Sequence, residues 1–142
     1  MTRHVVAALA ALAVVSATIV PAAAANDRVR RKCDASGDGD ISMSAKWEKR
    51  DNRKKFSTEF EAAPGGRFAE GDRISIAIDG ANVGSVTLDT VVGGDVVGDL
   101  NYDTKADSPD ELPFPSDFPK LGKGAKVEVR FKGAAVLACK LR

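Results

Sequence analysis

The chain has 142 residues, and its 21 lysines and arginines are nearly balanced by 20 aspartates and glutamates. This length suits one domain with one hydrophobic core. The small net charge argues against a general nucleic-acid binder. Basic residues are concentrated before residue 56, and acidic residues predominate over residues 70–117. Solvated surface faces explain this distribution, and the alternative is a basic surface for anionic glycans or lipids.

The first 25 residues predict a secretory signal peptide. Arg3 supplies a positive start, residues 5–20 form an apolar run, and Pro21 with the alanines after it ends that run. The run is shorter than the roughly 20 residues that a membrane-spanning helix needs. We therefore expect cleavage after Ala25, a mature chain without a transmembrane segment, and a secreted or periplasmic location.

Residues 26–32 follow as a basic N-terminal tail, and residues 33–142 are expected to form a single domain. The only two cysteines, Cys33 and Cys139, lie near the ends of that domain. An isolated pair of cysteines in an oxidising compartment is typical of a structural disulfide. We expect a Cys33–Cys139 bond that joins the first and last segments, worth up to about 4.7 kcal/mol in the chain-entropy model.

The domain alternates apolar and polar residues with a period of two, which indicates half-buried strands rather than helices. In the first strand this alternation places Trp47 on the inward face and Glu48 on the outward face. The seven predicted strands are residues 41–50, 54–62, 72–80, 83–92, 96–102, 125–133 and 134–142. The pattern predicts an all-β fold, a seven-stranded antiparallel β-sandwich of immunoglobulin-like architecture or a small barrel.

One long segment, Asp103–Gly124, interrupts the alternation. Its prolines exclude both a helix and a central strand. Phe114 and Phe118 favour a loop that packs on the core as a cover. The alternative is a binding loop that presents its acidic side chains, which are Asp107, Asp110 and Glu111.

Residues 34–42, with the sequence DASGDGDIS, resemble the first nine positions of an EF-hand calcium loop. Asp34, Ser36 and Asp38 lie at positions that supply side-chain oxygens in such loops. The twelfth position, where an EF-hand has a bidentate glutamate, is Ala45, and a strand follows in place of a helix.

The Asp34–Asp40 loop is therefore a candidate for a weak extracellular calcium site, with a dissociation constant on the order of 10⁻⁴ to 10⁻³ M. The predicted ligands are Asp34, Ser36, Asp38 and Asp40. Further oxygens would come from Asp99, Asn101 and Asp103. The alternative is a glycine-rich turn whose aspartates bond to their own backbone amides.

Catalytic patterns are missing from the mature sequence. The only histidine, His4, leaves with the signal peptide, which excludes histidine-based triads and imidazole zinc ligands. No phosphate-binding loop or dinucleotide fingerprint is present, and no spacing singles out a pair of carboxylates. We expect a secreted bacterial structural or interaction domain rather than an enzyme, with no cofactor except calcium. Its partner would be a protein, a glycan or another envelope component. The alternative functions are a calcium-binding module and a small enzyme that uses carboxylates.

Overall fold

The computed structural model describes residues 27–142, which form nine β-strands and no helix. The predicted signal peptide and its cleavage site lie outside the described residues. No helix able to cross a membrane occurs within residues 27–142. The strands are β1 (Arg28–Gly37), β2 (Ile41–Arg50), β3 (Arg53–Ala62), β4 (Arg73–Ile78), β5 (Ala81–Thr87), β6 (Asp89–Thr90), β7 (Val96–Asp103), β8 (Lys126–Phe131) and β9 (Ala134–Lys140).

The strands form two antiparallel sheets, ordered β1-β2-β3-β7-β6 and β5-β4-β8-β9. Both sheets contribute to one hydrophobic core. Strands β3, β4 and β8 supply many of its most buried side chains, each at most 1% exposed; they include Phe56, Phe60, Ile74, Ile76, Val127 and Val129. The predicted all-β class is confirmed.

The number of strands is nine rather than the predicted seven, for two reasons. The expected basic tail over residues 26–32 belongs to β1 from Arg28 onwards, and β1 pairs with β2 along its full length. Its alternation is hidden in the sequence because Arg31 occupies an inward position, where its aliphatic stem can lie along apolar surface. The predicted strand over residues 83–92 is divided at Leu88, where the chain passes from one sheet to the other.

The predicted inward face of β2 is confirmed. Its alternate residues are each at most 8% exposed, and these are Ile41, Met43, Ala45 and Trp47. Glu48 lies on the outer face, where Arg28, Arg30 and Lys46 are its ion-pair partners. Each one-residue step along β2 therefore reverses the side of the sheet, as expected for a strand.

Bonds at both edges link the two sheets. The predicted disulfide between Cys33 of β1 and Cys139 of β9 is confirmed, with a Cα–Cα distance of 5.7 Å. Beside it, Lys32 and Arg142 exchange two backbone hydrogen bonds of 3.2 Å. At the other edge, the Tyr102 hydroxyl donates to the backbone oxygen of Val83 at 2.6 Å.

Gly98 of β7 lies where the core leaves no room for a side chain. A methyl group at this position would lie 2.6 Å from Cδ2 of Leu88 and 2.9 Å from Cγ2 of Val86. Leu88 is fully buried and cannot move into solvent. We expect Gly98→Ala to lower the free energy of unfolding by about 1–3 kcal/mol, measured by urea denaturation.

Gly122→Ala is the matched control for this overpacking effect. A methyl group on Gly122 meets no atom within 4 Å. The substitution should change the free energy of unfolding by less than about 0.5 kcal/mol. Equal stabilities of the Gly98→Ala and Gly122→Ala variants would contradict the packing described for β7.

Candidate functional site

The structure places the predicted calcium ligands on the β1–β2 hairpin. Asp34 and Ser36 lie in β1, and residues 38–40 form the turn, in which Gly39 and Asp40 have positive φ angles of 83° and 51°. All four predicted ligands are exposed. Within residues 27–142, no group of three or more His, Cys, Asp or Glu side chains is placed to hold a metal ion. The calcium site remains a prediction that the structure does not support.

The second set of predicted calcium donors lies on β7, and Asp103 there has a different environment. The Asp103 side chain is 1% exposed. Arg53 donates from Nε to both carboxylate oxygens at 3.1 Å and from Nη2 to Oδ2 at 2.8 Å. Lys55 Nζ lies 2.7 Å from Oδ2, and the backbone nitrogen of Lys105 donates to Oδ1 at 2.9 Å. Asp103 is thus neutralised by side chains of β3.

These contacts lower the pKa of Asp103. The hydrogen bonds from Arg53 are the largest cause; burial opposes them by favouring the neutral acid, and Lys55 adds to the lowering. The same hydrogen bonds raise the pKa of Arg53 and that of Lys55. The carboxylate and its two cations are therefore all charged at neutral pH.

The ion network attaches the start of the proline-rich loop to the sheet. Lys55 also contacts Oε1 of Glu111 at 2.7 Å. Leu112 donates its backbone N–H to Asn101 and accepts one from Asp103, both at 2.9 Å. The loop is therefore fixed beside β7 before it turns back across the end of the sheet.

The middle of the same loop packs on the core through aromatic rings. The Phe114 ring lies 6.1 Å from that of Trp47 at 84°, and the Phe118 ring lies 5.4 Å from that of Phe56 at 60°. Phe114 and Phe118 contact each other at 4.8 Å. Such edge-to-face pairs are worth about 0.5–1.5 kcal/mol beyond area burial. The packed cover is thus the alternative that the structure supports for this loop.

A groove of about 590 Å³ lies between the end of the five-stranded sheet and the loop, and we call it the Trp47 groove. Its apolar lining residues are Val29, Trp47, Phe114, Pro115, Phe118, Pro119 and Leu121. The rest of the lining consists of four cations, Arg31, Lys49, Lys54 and Lys120, and two hydroxyl-bearing residues, Thr104 and Ser116. No acidic side chain lines the groove.

Within residues 27–142, no carboxylate pairs with the cations of the Trp47 groove. Among the described residues, none of its four cations lies within 4.0 Å of a carboxylate oxygen. Lys49 and Lys54 are direct partners on neighbouring strands. Like charges directly opposite each other on a sheet are destabilising. The arrangement therefore favours a bound anion.

Sequence reasoning did not find this groove, because its cations come from three strands and a distant loop. One local signal was available. The inward alternation of β2 continues from Trp47 to Lys49, and that of β3 begins with Lys54 before Phe56. Lysines at inward positions at the ends of two neighbouring strands indicate an opening in the core rather than its continuation.

The described lining of the groove contains no carboxylate, histidine or cysteine. It combines an apolar floor with a few polar groups, as small-molecule sites do. Comparisons of the chain with protein-family models, with curated proteins and with solved structures found no match.

Removal of the Asp103 charge should loosen the loop. We expect Asp103→Asn to lower the free energy of unfolding at pH 7 by about 1–3 kcal/mol, because hydrogen bonds between charged groups are lost. The native pKa of Asp103 lies below its unfolded value of about 3.9, so its contribution is complete above that pH and disappears as the pH falls through the native pKa. The stability difference should therefore shrink below about pH 4, as measured by urea denaturation at several pH values.

Asp107→Asn provides the control, since this carboxylate lies 3.8 Å from Arg53 but its side chain is 76% exposed. It should change stability by less than about 0.5 kcal/mol at any of these pH values. A similar loss in both variants would show that the Asp103 network does not hold the loop.

Proposed function

We propose that this protein is an exported, non-enzymatic interaction domain that binds an anionic partner through the Trp47 groove. The observation that carries this proposal is the group of four cations on an apolar floor without carboxylate partners in the described residues. Neighbouring cations on the outer face differ, since Arg30 is paired with Glu48 and Lys55 with Asp103. The four groove cations have no such partner within the described residues.

The groove cations, which have no carboxylate partner within the described residues, favour approach of an anion. The neighbouring Arg28 and Arg50 are paired with Glu48 and Asp51, so the unpaired positive charge at this end of the sheet lies mainly in the groove. A surface with one predominant sign of charge raises the association rate of an oppositely charged partner at low salt. The partner would be an anionic lipid, glycan or other envelope component.

Export is supported by two independent features. The first 25 residues have the layout of a signal peptide. The Cys33–Cys139 disulfide is of a kind that persists in oxidising compartments such as the periplasm or the extracellular medium. We favour an immunoglobulin-like sandwich over a small barrel, since the two sheets keep separate strand orders.

The proposal is tested by vesicle binding. The protein is mixed with phosphatidylcholine vesicles with or without phosphatidylglycerol, and the bound fraction is measured by co-sedimentation. We expect binding only to the anionic vesicles. Lys49→Gln/Lys54→Gln should weaken it by about 30-fold, at about 1 kcal/mol for each lysine near an anionic surface.

The control variant is Arg73→Gln/Lys132→Asn. It also removes two positive charges, but from the opposite end of the strands. Both residues are exposed and neither has an ion-pair partner within the described residues, and asparagine suits the positive φ of 51° at position 132. Vesicle binding of this control should be unchanged. Equal weakening in both double variants would mean that net charge, not the groove, governs binding.

A further inference from the structure

We infer that the ligand of the Trp47 groove is a single-chain anionic amphiphile, with its alkyl chain on the aromatic floor and its anionic head at the lysines. This inference rests on the proposed function and specifies the chemical class of the partner. A carboxylate head, as in a fatty acid, and a phosphate head, as in a single-chain lipid, share this chemistry.

The floor provides a rigid apolar surface for the chain. The ring of Phe114 packs edge to face against two others. Its centroid lies 6.1 Å from that of Trp47 and 4.8 Å from that of Phe118. Phe114 and Phe118 remain partly exposed although they pack on the core. The groove volume of about 590 Å³ lies within the usual range of small-ligand sites, roughly 300–1,000 Å³.

The strand register places the two strand lysines of the groove beyond the row that contains Trp47 and Phe56. Arg31, Trp47 and Phe56 are partners across β1, β2 and β3. The next inward row, one step nearer the end of the sheet, contains Val29, Lys49 and Lys54. The lysines therefore lie on the solvent side of the aromatic row, and the facing loop adds Lys120. An amphiphile matches this order when its head remains at the entrance and its chain extends inward.

Other anions fit less well. A glycan has no alkyl chain to cover the aromatic floor formed by Trp47, Phe114 and Phe118. A flat bilayer surface cannot reach Trp47, which is 8% exposed, whereas a chain that enters the groove can. A polyanion without an apolar part would leave the aromatic floor uncovered.

Trp47 is the only tryptophan of the chain, so its fluorescence reports on the groove without a label. Dodecanoate and dodecyl phosphate are titrated below their micelle-forming concentrations. We expect a saturable change with at least one of them, and the more effective one identifies the preferred head. Acetate and inorganic phosphate, which lack the chain, and dodecyl maltoside, which lacks the charge, should produce no saturable change.

Two pairs of variants separate the head and chain contacts. Lys49→Gln/Lys54→Gln should weaken amphiphile binding about tenfold or more, and Arg73→Gln/Lys132→Asn should not. Leu121→Gln places a polar group among the apolar lining residues and should also weaken amphiphile binding. Leu112→Gln is its control, because Leu112 is a 47% exposed residue of the same loop that does not line the groove.

The outcomes distinguish this inference from the proposed function. No saturable signal with either anionic amphiphile, equal binding of dodecyl maltoside, or equal effects of Leu121→Gln and Leu112→Gln would overturn the amphiphile. If vesicle binding still depends on Lys49 and Lys54 in that case, the interaction domain stands with another anionic partner. If vesicle binding does not depend on these lysines, the proposed function fails as well.

Discussion

The end of the five-stranded sheet depends on the ion pairs made by the buried carboxylate of Asp103. A buried charge is tolerated only when it is paired, and here Arg53 and Lys55 supply the pairing from β3. Lys54, between them, faces the other side of the strand and has no such partner among the described residues. Strand alternation thus places Arg53 and Lys55 in the Asp103 network and Lys54 in the Trp47 groove. The loop held by Asp103 is also the loop that forms the second wall of the groove.

Much of the fold could be predicted because strand alternation is a local property. The inward face of β2 follows directly from its sequence, and the disulfide follows from the presence of only two cysteines. β1 was missed because four of its first five residues are basic, and the sequence alone does not show that Arg31 lies inward. A long side chain with a charged end can point inward and still reach water. The polarity of a residue therefore does not by itself show which face of the strand it occupies.

The groove could not be predicted because its parts meet only through tertiary packing. Lys49 and Lys120 are far apart in the sequence and become neighbours because Phe114 and Phe118 dock on the core. The spacing of the acidic residues predicts a calcium site. Spacing alone does not show whether a carboxylate is neutralised by a metal ion or by a basic side chain. In the case of Asp103 the compensating cations are side chains of the neighbouring strand. Short acidic motifs are therefore ambiguous until the strand pairing is known.

The Cys33–Cys139 bond also determines how the domain responds to mechanical force. It joins positions separated by 106 residues, so tension applied at the two ends of the chain passes through one covalent bond. The strands between the cysteines are shielded from that tension. The segments outside the two cysteines are not shielded; the first contains Val29 and Arg31, which line the groove, and the second contains Leu141 and Arg142. Tension on the chain would therefore act on one wall of the groove, whereas the strands between the cysteines would carry none of it.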